Sequence, residues 1–411
     1  MMYLRSLTLL VAIATTAAAQ TYPATTVPVE MTRPVAGVDE QVTLFANGDG
    51  YTNFRIPAVV VTKAGTVLAF CEARANPRGP TNDSGDIDLV LRRSTDHGRT
   101  FGPRQIVWDD AGNTCGNPCP VIDQRTGRIV LAMTHNLGLD RESMIVAGTS
   151  KGTRTVWVCH SDDDGVTWSR PRDVTTTTKK PEWAWYATGP GVGIQLARGP
   201  HAGRLIIPCD YVVKGGKGDD AGNSHVIYSD DGGETWVIGG EPPNKKFNES
   251  QIVERADGSV LLNMRNRGRG ATGGFDGRGV AVSTDGGVTF AAATEDTTLV
   301  EPRCQASVIR YSWPDGGKSR LLFSNPARRD ERKEMTVRVS YDEGATWPES
   351  KLIYPGWTGY SCLAPLADGT VGLFYEAGNS ERYQRIEFAR LKLEWLTDGR
   401  APTVKPRIQT D

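Results

Sequence analysis

Side chains able to do chemistry gather at a few points of this 411-residue chain. Three carboxylates, Asp83, Asp86 and Asp88, crowd Thr81-Asn82-Asp83-Ser84-Gly85-Asp86-Ile87-Asp88, just ahead of the apolar run LVLRRS. A carboxyl held beside a reacting bond can give and take a proton. Asp88 already enters the apolar run and reads as structural. Arg328, Arg329, Arg332 and Arg338 crowd NPARRDERKEMTVRVS. A planar guanidinium presents paired donors that match the two oxygens of a carboxylate, although most of a charge run is solvated surface. Metal chemistry is not expected: the five histidines are dispersed and no Cys-x-x-Cys pair occurs among the seven cysteines. Cys115 and Cys119 in NTCGNPCP are close enough to bridge across a tight loop in an oxidising compartment, whereas the other five read as buried thiols.

The elements that must position these groups are set by an internal repeat, Ser-x-Asp-x-Gly-x-Thr-Trp/Phe. It occurs as STDHGRTF from Ser94, SDDDGVTW from Ser161, SDDGGETW from Ser229, STDGGVTF from Ser283 and SYDEGATW from Ser340. The starts are 67, 68, 54 and 57 residues apart, the length of a four-stranded antiparallel sheet with its turns. Each octad reads as a hairpin in which Asp accepts hydrogen bonds from turn amides, Gly takes left-handed backbone angles and the aromatic plugs the blade. Short alternating or apolar runs such as VVVTKAGTVLAF, GRIVLAM and GTVGLFYE fill the intervals, with no convincing amphipathic helix. The fold class expected is therefore all-β, a six-bladed β-propeller over residues 40–398. Five blades carry the octad, and one unmarked blade is closed by strands from both termini. The octads themselves sit on the rim and have no necessary part in chemistry.

Around this unit, Arg5, the apolar run Leu7–Ala14 and the small residues Ala17-Ala18-Ala19 have the three regions of a secretion signal, residues 1–19. Export is expected. A Thr/Pro-rich extension to residue 39 precedes the propeller, and 399–411 form a C-terminal tail. With 47 Lys+Arg against 48 Asp+Glu the formal charge is -1, which leaves no global field to hold nucleic acid or an anionic membrane. No later segment is apolar for long enough to anchor in a bilayer. A monomer is expected.

The octads resemble the Asp-boxes of sialidases, and Phe54-Arg55-Ile56-Pro57 ahead of the first resembles the F/Y-R-I-P motif that opens the sialidase propeller. The resemblance covers nearly the whole chain after the signal and implies a set of site residues. Three arginines would grip the substrate carboxylate: Arg55 by its motif, Arg265 on NMRNR sixteen residues after Glu249, and Arg332 ahead of the Thr-Val-Arg strand. Arg267 competes with Arg265, and Arg328, Arg329 and Arg338 compete with Arg332. Tyr360 in Gly359-Tyr360-Ser361-Cys362-Leu363 would be the nucleophile and Glu249 in FNES its base. A neutral phenol avoids the repulsion that a carboxylate nucleophile would meet from the substrate's own carboxylate, and sialidases are exceptions to the two-carboxylate rule. A phenol with a pKa near 10 needs such a base to take its proton. Family spacing implies Asp83 as acid/base, with Asp86 second. Arg74 would line the sugar's 4-hydroxyl side, with Arg78 in the intervening insertion as the other choice. A pocket for the C5 substituent is expected near Asn117-Pro118 and the aromatic stretch from Trp183 to Gly191, where aromatic walls suit an acyl methyl.

The function implied is that of a retaining exo-sialidase without cofactor, acting on sialylated glycans, glycoproteins or glycolipids whose terminal sugar is N-acetylneuraminic acid or Kdn. A trans-sialidase would use the same residues. A catalytically inactive glycan-binding propeller would lack one of them, and none is missing.

Overall fold

The computed structural model describes residues 37–75, 82–218, 221–244, 246–267 and 277–399. The expected signal and most of the Thr/Pro-rich extension lie outside them, as does the tail from residue 400. The described chain is all-β, with only short helices beside the strands.

Its unit is the four-stranded antiparallel meander. The strands β1 (Val38–Ala46), β2 (Asn53–Val61), β3 (Val67–Arg74), β4 (Ile87–Ser94) and β5 (Gln105–Trp108) open the chain. They are followed by β6 (Thr114–Ile122), β7 (Ile129–Asn136), β8 (Thr155–Ser161) and β9 (Arg172–Asp173). Next come β10 (Trp183–Thr188), β11 (Ile194–Gln195), β12 (Leu205–Val213), β13 (Gly222–Ser229) and β14 (Val237–Ile238). Then β15 (Phe247–Glu254), β16 (Val260–Asn266), β17 (Arg278–Ser283) and β18 (Thr294–Asp296) precede β19 (Ser307–Ser312), β20 (Arg320–Pro326), β21 (Lys333–Ser340) and the long β22 (Glu349–Pro365). Finally, β23 (Val371–Gly378) and β24 (Arg385–Leu391) complete the set. Hydrogen bonding runs β2-β3-β4-β5, β6-β7-β8-β9, β10-β12-β13-β14 and β15-β16-β17-β18. A continuous path β19-β20-β21-β22-β23-β24-β1 joins the remaining strands, because the first half of β22 pairs with β21 and its second half with β23. The N-terminal β1 thus completes the meander formed last in the chain, pairing Val42 with Phe388.

Strand composition follows position. The second strands β3 and β23 are buried at every residue and read as apolar runs rather than alternations, and the first strand β6 is likewise buried throughout. The outer strands β5, β9, β14 and β18 are two to four residues long and at least partly exposed, too short to offer an edge for aggregation.

Each octad joins the third strand of a meander to its outer strand. In all five, the Ser Oγ donates to the Asp Oδ1 at 2.7–2.8 Å and accepts from the Gly amide at 2.8–2.9 Å, while the Thr hydroxyl donates to the Asp Oδ2 at 2.5–2.6 Å. The glycine is obligatory for two reasons, shown at Gly98: its φ is +81°, and a Cβ there would lie 2.3 Å from the Phe388 ring. No octad follows β24, because its outer partner β1 comes from the start of the chain and no hairpin is needed.

Antiparallel alternation puts the octads at one edge of the meanders. The starts of first strands, the ends of second strands and the loops leading to third strands share the other edge, and every expected site residue sits there. The possible Cys115–Cys119 bridge does not form: all seven cysteines are free and buried. Cys115 and Cys119 lie on one strand, β6, rather than across a loop, and a bulge between Gly116 and Cys119 sends Cys115 into one core cluster and Cys119 into another.

Candidate active site

Phe54-Arg55-Ile56-Pro57 forms a bulge at the start of β2, with the register against β3 shifting between Arg55 and Ala58. Ile56 takes φ +62°, costly for a β-branched residue and a mark of a site where backbone direction matters. The bulge aims Arg55 inward, where Nε and Nη2 donate to the two oxygens of Glu376 at 3.0 and 3.3 Å. Glu376, at the end of β23 and with no exposed surface, also accepts from the amides of Ile56 at 3.0 Å and Tyr360 at 2.8 Å. One carboxylate therefore fixes both the arginine of the opening motif and the backbone carrying the tyrosine. The guanidinium lies over the Tyr383 ring at 3.9 Å and the Tyr360 ring at 5.0 Å.

Tyr360 opens the second half of β22 and is 6% exposed. Its hydroxyl donates to Glu249 Oε1, and Arg265 Nη1 donates to Glu249 Oε2 at 2.5 Å and to the Tyr360 oxygen at 3.1 Å. Phenol, carboxylate and guanidinium thus form a closed triangle, built from β22, β15 and β16. Arg332, in the turn before β21, is tied by Nη1 to the Tyr383 hydroxyl at 2.8 Å and by Nη2 to the Arg303 carbonyl at 2.7 Å, with its guanidinium 5.5 Å from the Tyr360 ring. Burial works against the charge on Arg55, Arg265 and Arg332. Glu376 for the first, Glu249 for the second, and Cys304 with Tyr383 for the third leave all of them above the ordinary guanidinium value. Burial and the Glu249 charge push the Tyr360 phenol well up, with Arg265, Arg332 and Arg55 opposing. At rest it is a neutral phenol whose proton already points at a base.

Asp83 lies in the loop between β3 and β4, with its side chain 42% exposed. Its Oδ1 accepts from Arg74 Nη2 at 2.8 Å and its carbonyl from Arg154 Nη1 at 3.2 Å. Burial of the loop would raise its pKa, but Arg74, Arg55 and Arg154 outweigh this and hold the carboxyl below the usual range. Arg74 is itself 1% exposed and also donates through Nε to Glu72 at 2.9 Å and through Nη1 to the Asn82 carbonyl at 3.2 Å. It braces the Asp83 loop from behind. Asn117, at φ +52° in the β6 bulge, receives Arg154 Nη2 at 2.6 Å and the Thr134 hydroxyl at 3.1 Å on Oδ1. Its amide donates to Glu72 Oε1 at 2.8 Å.

Two of the competing arginines are placed elsewhere. Arg328 is half-exposed and pairs with Asp330 and Glu334, and Arg338 donates to Asn325 at 3.3 Å on β21. Asp88 takes the Tyr51 hydroxyl at 2.5 Å, and burial pushes it up to about 7. Arg78 lies outside the described residues. In the aromatic stretch, Trp183 stacks on Tyr211 at 3.9 Å and plugs its meander, whereas Trp185 lies under Arg154 at 4.1 Å. Glu376, Glu72, Arg154 and Tyr383 were not anticipated. A carboxylate ending the apolar run GTVGLFYE was a legible signal for Glu376; Arg154 and Tyr383 carry none.

Residues 65–373 match the family model described as a BNR repeat-like domain. The chain is 39% identical over 384 residues to a sialidase of Micromonospora viridifaciens, covering 89% of this chain and 55% of that protein. It is 32% identical over 386 residues to an exo-alpha-sialidase of Aspergillus fumigatus, covering 86% and 87% of the two. The chain belongs to the sialidase family. Among solved structures, the Hadza microbial sialidase Hz136 superposes with a TM-score of 0.74 at 31% identity, over 87% of this chain and 69% of that one. The chain spans about half the length of the Micromonospora relative. With the sialidase family shown over most of the chain, the edge that gathers Arg55, Asp83, Glu249, Arg265, Arg332 and Tyr360 is the candidate active site of this family member.

Proposed function

We propose that this chain is a secreted, retaining exo-sialidase that releases terminal N-acetylneuraminic acid or Kdn from glycoproteins, glycolipids or free glycans, with Tyr360 as nucleophile. The observation that carries the reading is the Tyr360–Glu249–Arg265 triangle with Arg55 and Arg332 at the phenol ring. Three guanidiniums beside one buried phenol suit an anionic sugar whose carboxylate sits on the carbon under attack. Export is supported by the arginine, apolar and small-residue order of residues 5–19. The meanders are read as blades of a six-bladed propeller, which the four-strand pairing and the closure of β24 by β1 support.

In the first step the substrate carboxylate enters between Arg55, Arg265 and Arg332. Its charge offsets the field of Arg55 on Asp83, so Asp83 takes up a proton more readily than in the empty site. Asp83 gives that proton to the leaving oxygen as the bond from C2 to that oxygen breaks. The Tyr360 proton passes to Glu249 and a bond forms between the phenolate oxygen and C2. In the second step Asp83 takes a proton from water, the resulting oxygen attacks C2, and Tyr360 leaves and recovers its proton from Glu249. Because the resting Asp83 is held ionised, turnover should be highest on the acid side of neutrality.

A 3-fluoro sialyl fluoride should trap the covalent intermediate, and peptide mass spectrometry should place the label on Tyr360. Tyr360→Phe should fold and lose most turnover. Label on another residue, or full activity in the variant, would overturn the assignment. Each of Arg55→Ala, Arg265→Ala and Arg332→Ala should weaken carboxylate-dependent binding by about tenfold or more, since a hydrogen bond to a charge is worth ~1.5–3 kcal/mol. Product analysis with and without an added sugar acceptor distinguishes hydrolysis from transfer.

A further inference from the structure

Tyr383 is the one buried residue of the turn between β23 and β24: Asn379, Ser380 and Glu381 before it are open to solvent, whereas its own exposure is 5%. Its side chain meets three parts of the candidate active site. The ring lies under the Arg55 guanidinium at 3.9 Å, the hydroxyl accepts from Arg332 Nη1 at 2.8 Å, and a Cβ added to Gly359, next to Tyr360, would lie 3.2 Å from the ring carbon Cε1. The backbone of the same turn is clasped by the loop after β1. Asn47 Nδ2 donates to the Tyr383 carbonyl at 2.9 Å, and the Asn47 amide donates to the Gln384 carbonyl at 3.0 Å. Because β1 pairs with β24, the N-terminal strand that completes the last meander also fixes this tyrosine.

The three guanidiniums are not held alike. Arg55 is paired with the Glu376 carboxylate and Arg265 with that of Glu249, so part of each charge is already answered. Arg332 has no carboxylate partner among the described residues: its two tethers are the Tyr383 hydroxyl at 2.8 Å and the Arg303 carbonyl at 2.7 Å. A guanidinium can only donate, so the phenol oxygen is the acceptor. A neutral acceptor sets the direction of an arginine without neutralising it, which leaves the whole charge of Arg332 to an arriving anion. The Tyr383 ring acts on Arg55 in the same way, since a ring face attracts a cation while leaving its N–H donors free. One side chain thereby sets the spacing between the first and third arginines.

We infer that Tyr383 is a positioning residue that holds Arg55 and Arg332 at the separation a substrate carboxylate needs, and that Asn47 sets Tyr383 from the other end of the chain. This rests on the sialidase reading above. Tyr383→Phe keeps the ring under Arg55 and removes the acceptor of Arg332. On an aryl sialoside its KM should rise about tenfold, the worth of one hydrogen bond to a charged group, with kcat nearly unchanged, because the carboxylate is gripped in ground and transition states alike. Tyr383→Leu, which also removes the ring face, should raise KM further. Asn47→Asp turns a carboxylate oxygen toward the Tyr383 carbonyl and should raise KM by a smaller factor, through the backbone alone. The deciding arm is a cycle with Arg332→Ala: in that background Tyr383→Phe should change nothing further, whereas a tyrosine that only packs would cost the same in both. Wild-type KM in Tyr383→Phe, a loss confined to kcat, or equal losses in the two backgrounds would overturn the assignment, and wild-type KM in Asn47→Asp would overturn the part given to Asn47. Calorimetric binding of the 2,3-unsaturated glycal of N-acetylneuraminic acid scores the same variants without turnover. A wild type that binds the glycal but cleaves no sialoside would overturn the sialidase reading and leave Tyr383 to be judged on binding; one that does neither would overturn both.

Discussion

Replacing Glu376 by glutamine tests how the centre is held together. The wild-type carboxylate accepts from Arg55 Nε and Nη2 at 3.0 and 3.3 Å and from the amides of Ile56 and Tyr360 at 3.0 and 2.8 Å, entirely out of solvent. Glutamine keeps the shape but offers one acceptor oxygen, turns an N–H₂ toward donors, and leaves the Arg55 charge uncompensated. Breaking one side of a buried ion pair costs about 3–5 kcal/mol. That is a large share of the ~5–15 kcal/mol by which a domain is stable. Equilibrium urea denaturation should show a loss of this size, and kcat/KM should fall because Arg55 and the Tyr360 backbone lose their common anchor. The decisive arm is the double variant Arg55→Met with Glu376→Leu. A buried pair repays its desolvation poorly, so removing both partners should cost less than removing Glu376 alone. Additive losses, or a Glu376→Gln change below about 1 kcal/mol with unaltered kcat/KM, would refute the view that this carboxylate organises the centre.

Asp210, 1% exposed with Oδ2 taken by Asn248 Nδ2 at 2.9 Å and Oδ1 unpartnered, is pushed up to about 7 by burial, with Arg267 opposing. The folded state then holds a proton that the unfolded chain releases near pH 4, so stability should fall from about pH 4 to about pH 7 and level off above, by up to a few kcal/mol at ~1.4 per pH unit. Asp210→Asn should flatten that slope and raise the midpoint at pH 8; parallel melting curves for the two proteins would refute the argument. With seven buried free thiols, a chromogenic disulfide reagent should react with none in the native protein and with seven in denaturant, and a titre of five would restore a bridge. Asn248 of the sequon Asn248-Glu249-Ser250 is half-buried on Asp210 and Ser250 is fully buried, so peptides from protein made in a eukaryotic secretory host should carry no glycan there and little at Asn82. Full occupancy of Asn248 in active enzyme would remove Glu249 from the site.

Local pattern was enough to read the octads as hairpins, because Ser, Asp, Gly and Thr make their bonds within six residues of one another and need nothing from elsewhere. It was enough to read the chain as all-β, since apolar runs broken by Gly/Asp turns leave no helical face. Family resemblance supplied Arg55, Glu249, Arg265, Arg332 and Tyr360, and folding brings them to one edge. Tertiary structure alone decided what surrounds them. Glu376 stands 321 residues from Arg55 and Arg154 stands 71 from Asp83, and no local spacing encodes such a pairing. The same holds for failures of local reading. Cys115 and Cys119 look bridgeable four residues apart, but one bulged strand turns them into different cores. A sequence records which groups a turn can satisfy by itself. Which buried charge meets which is settled only when distant strands close the sheet, because a buried charge requires a partner and only the fold determines which one is within reach.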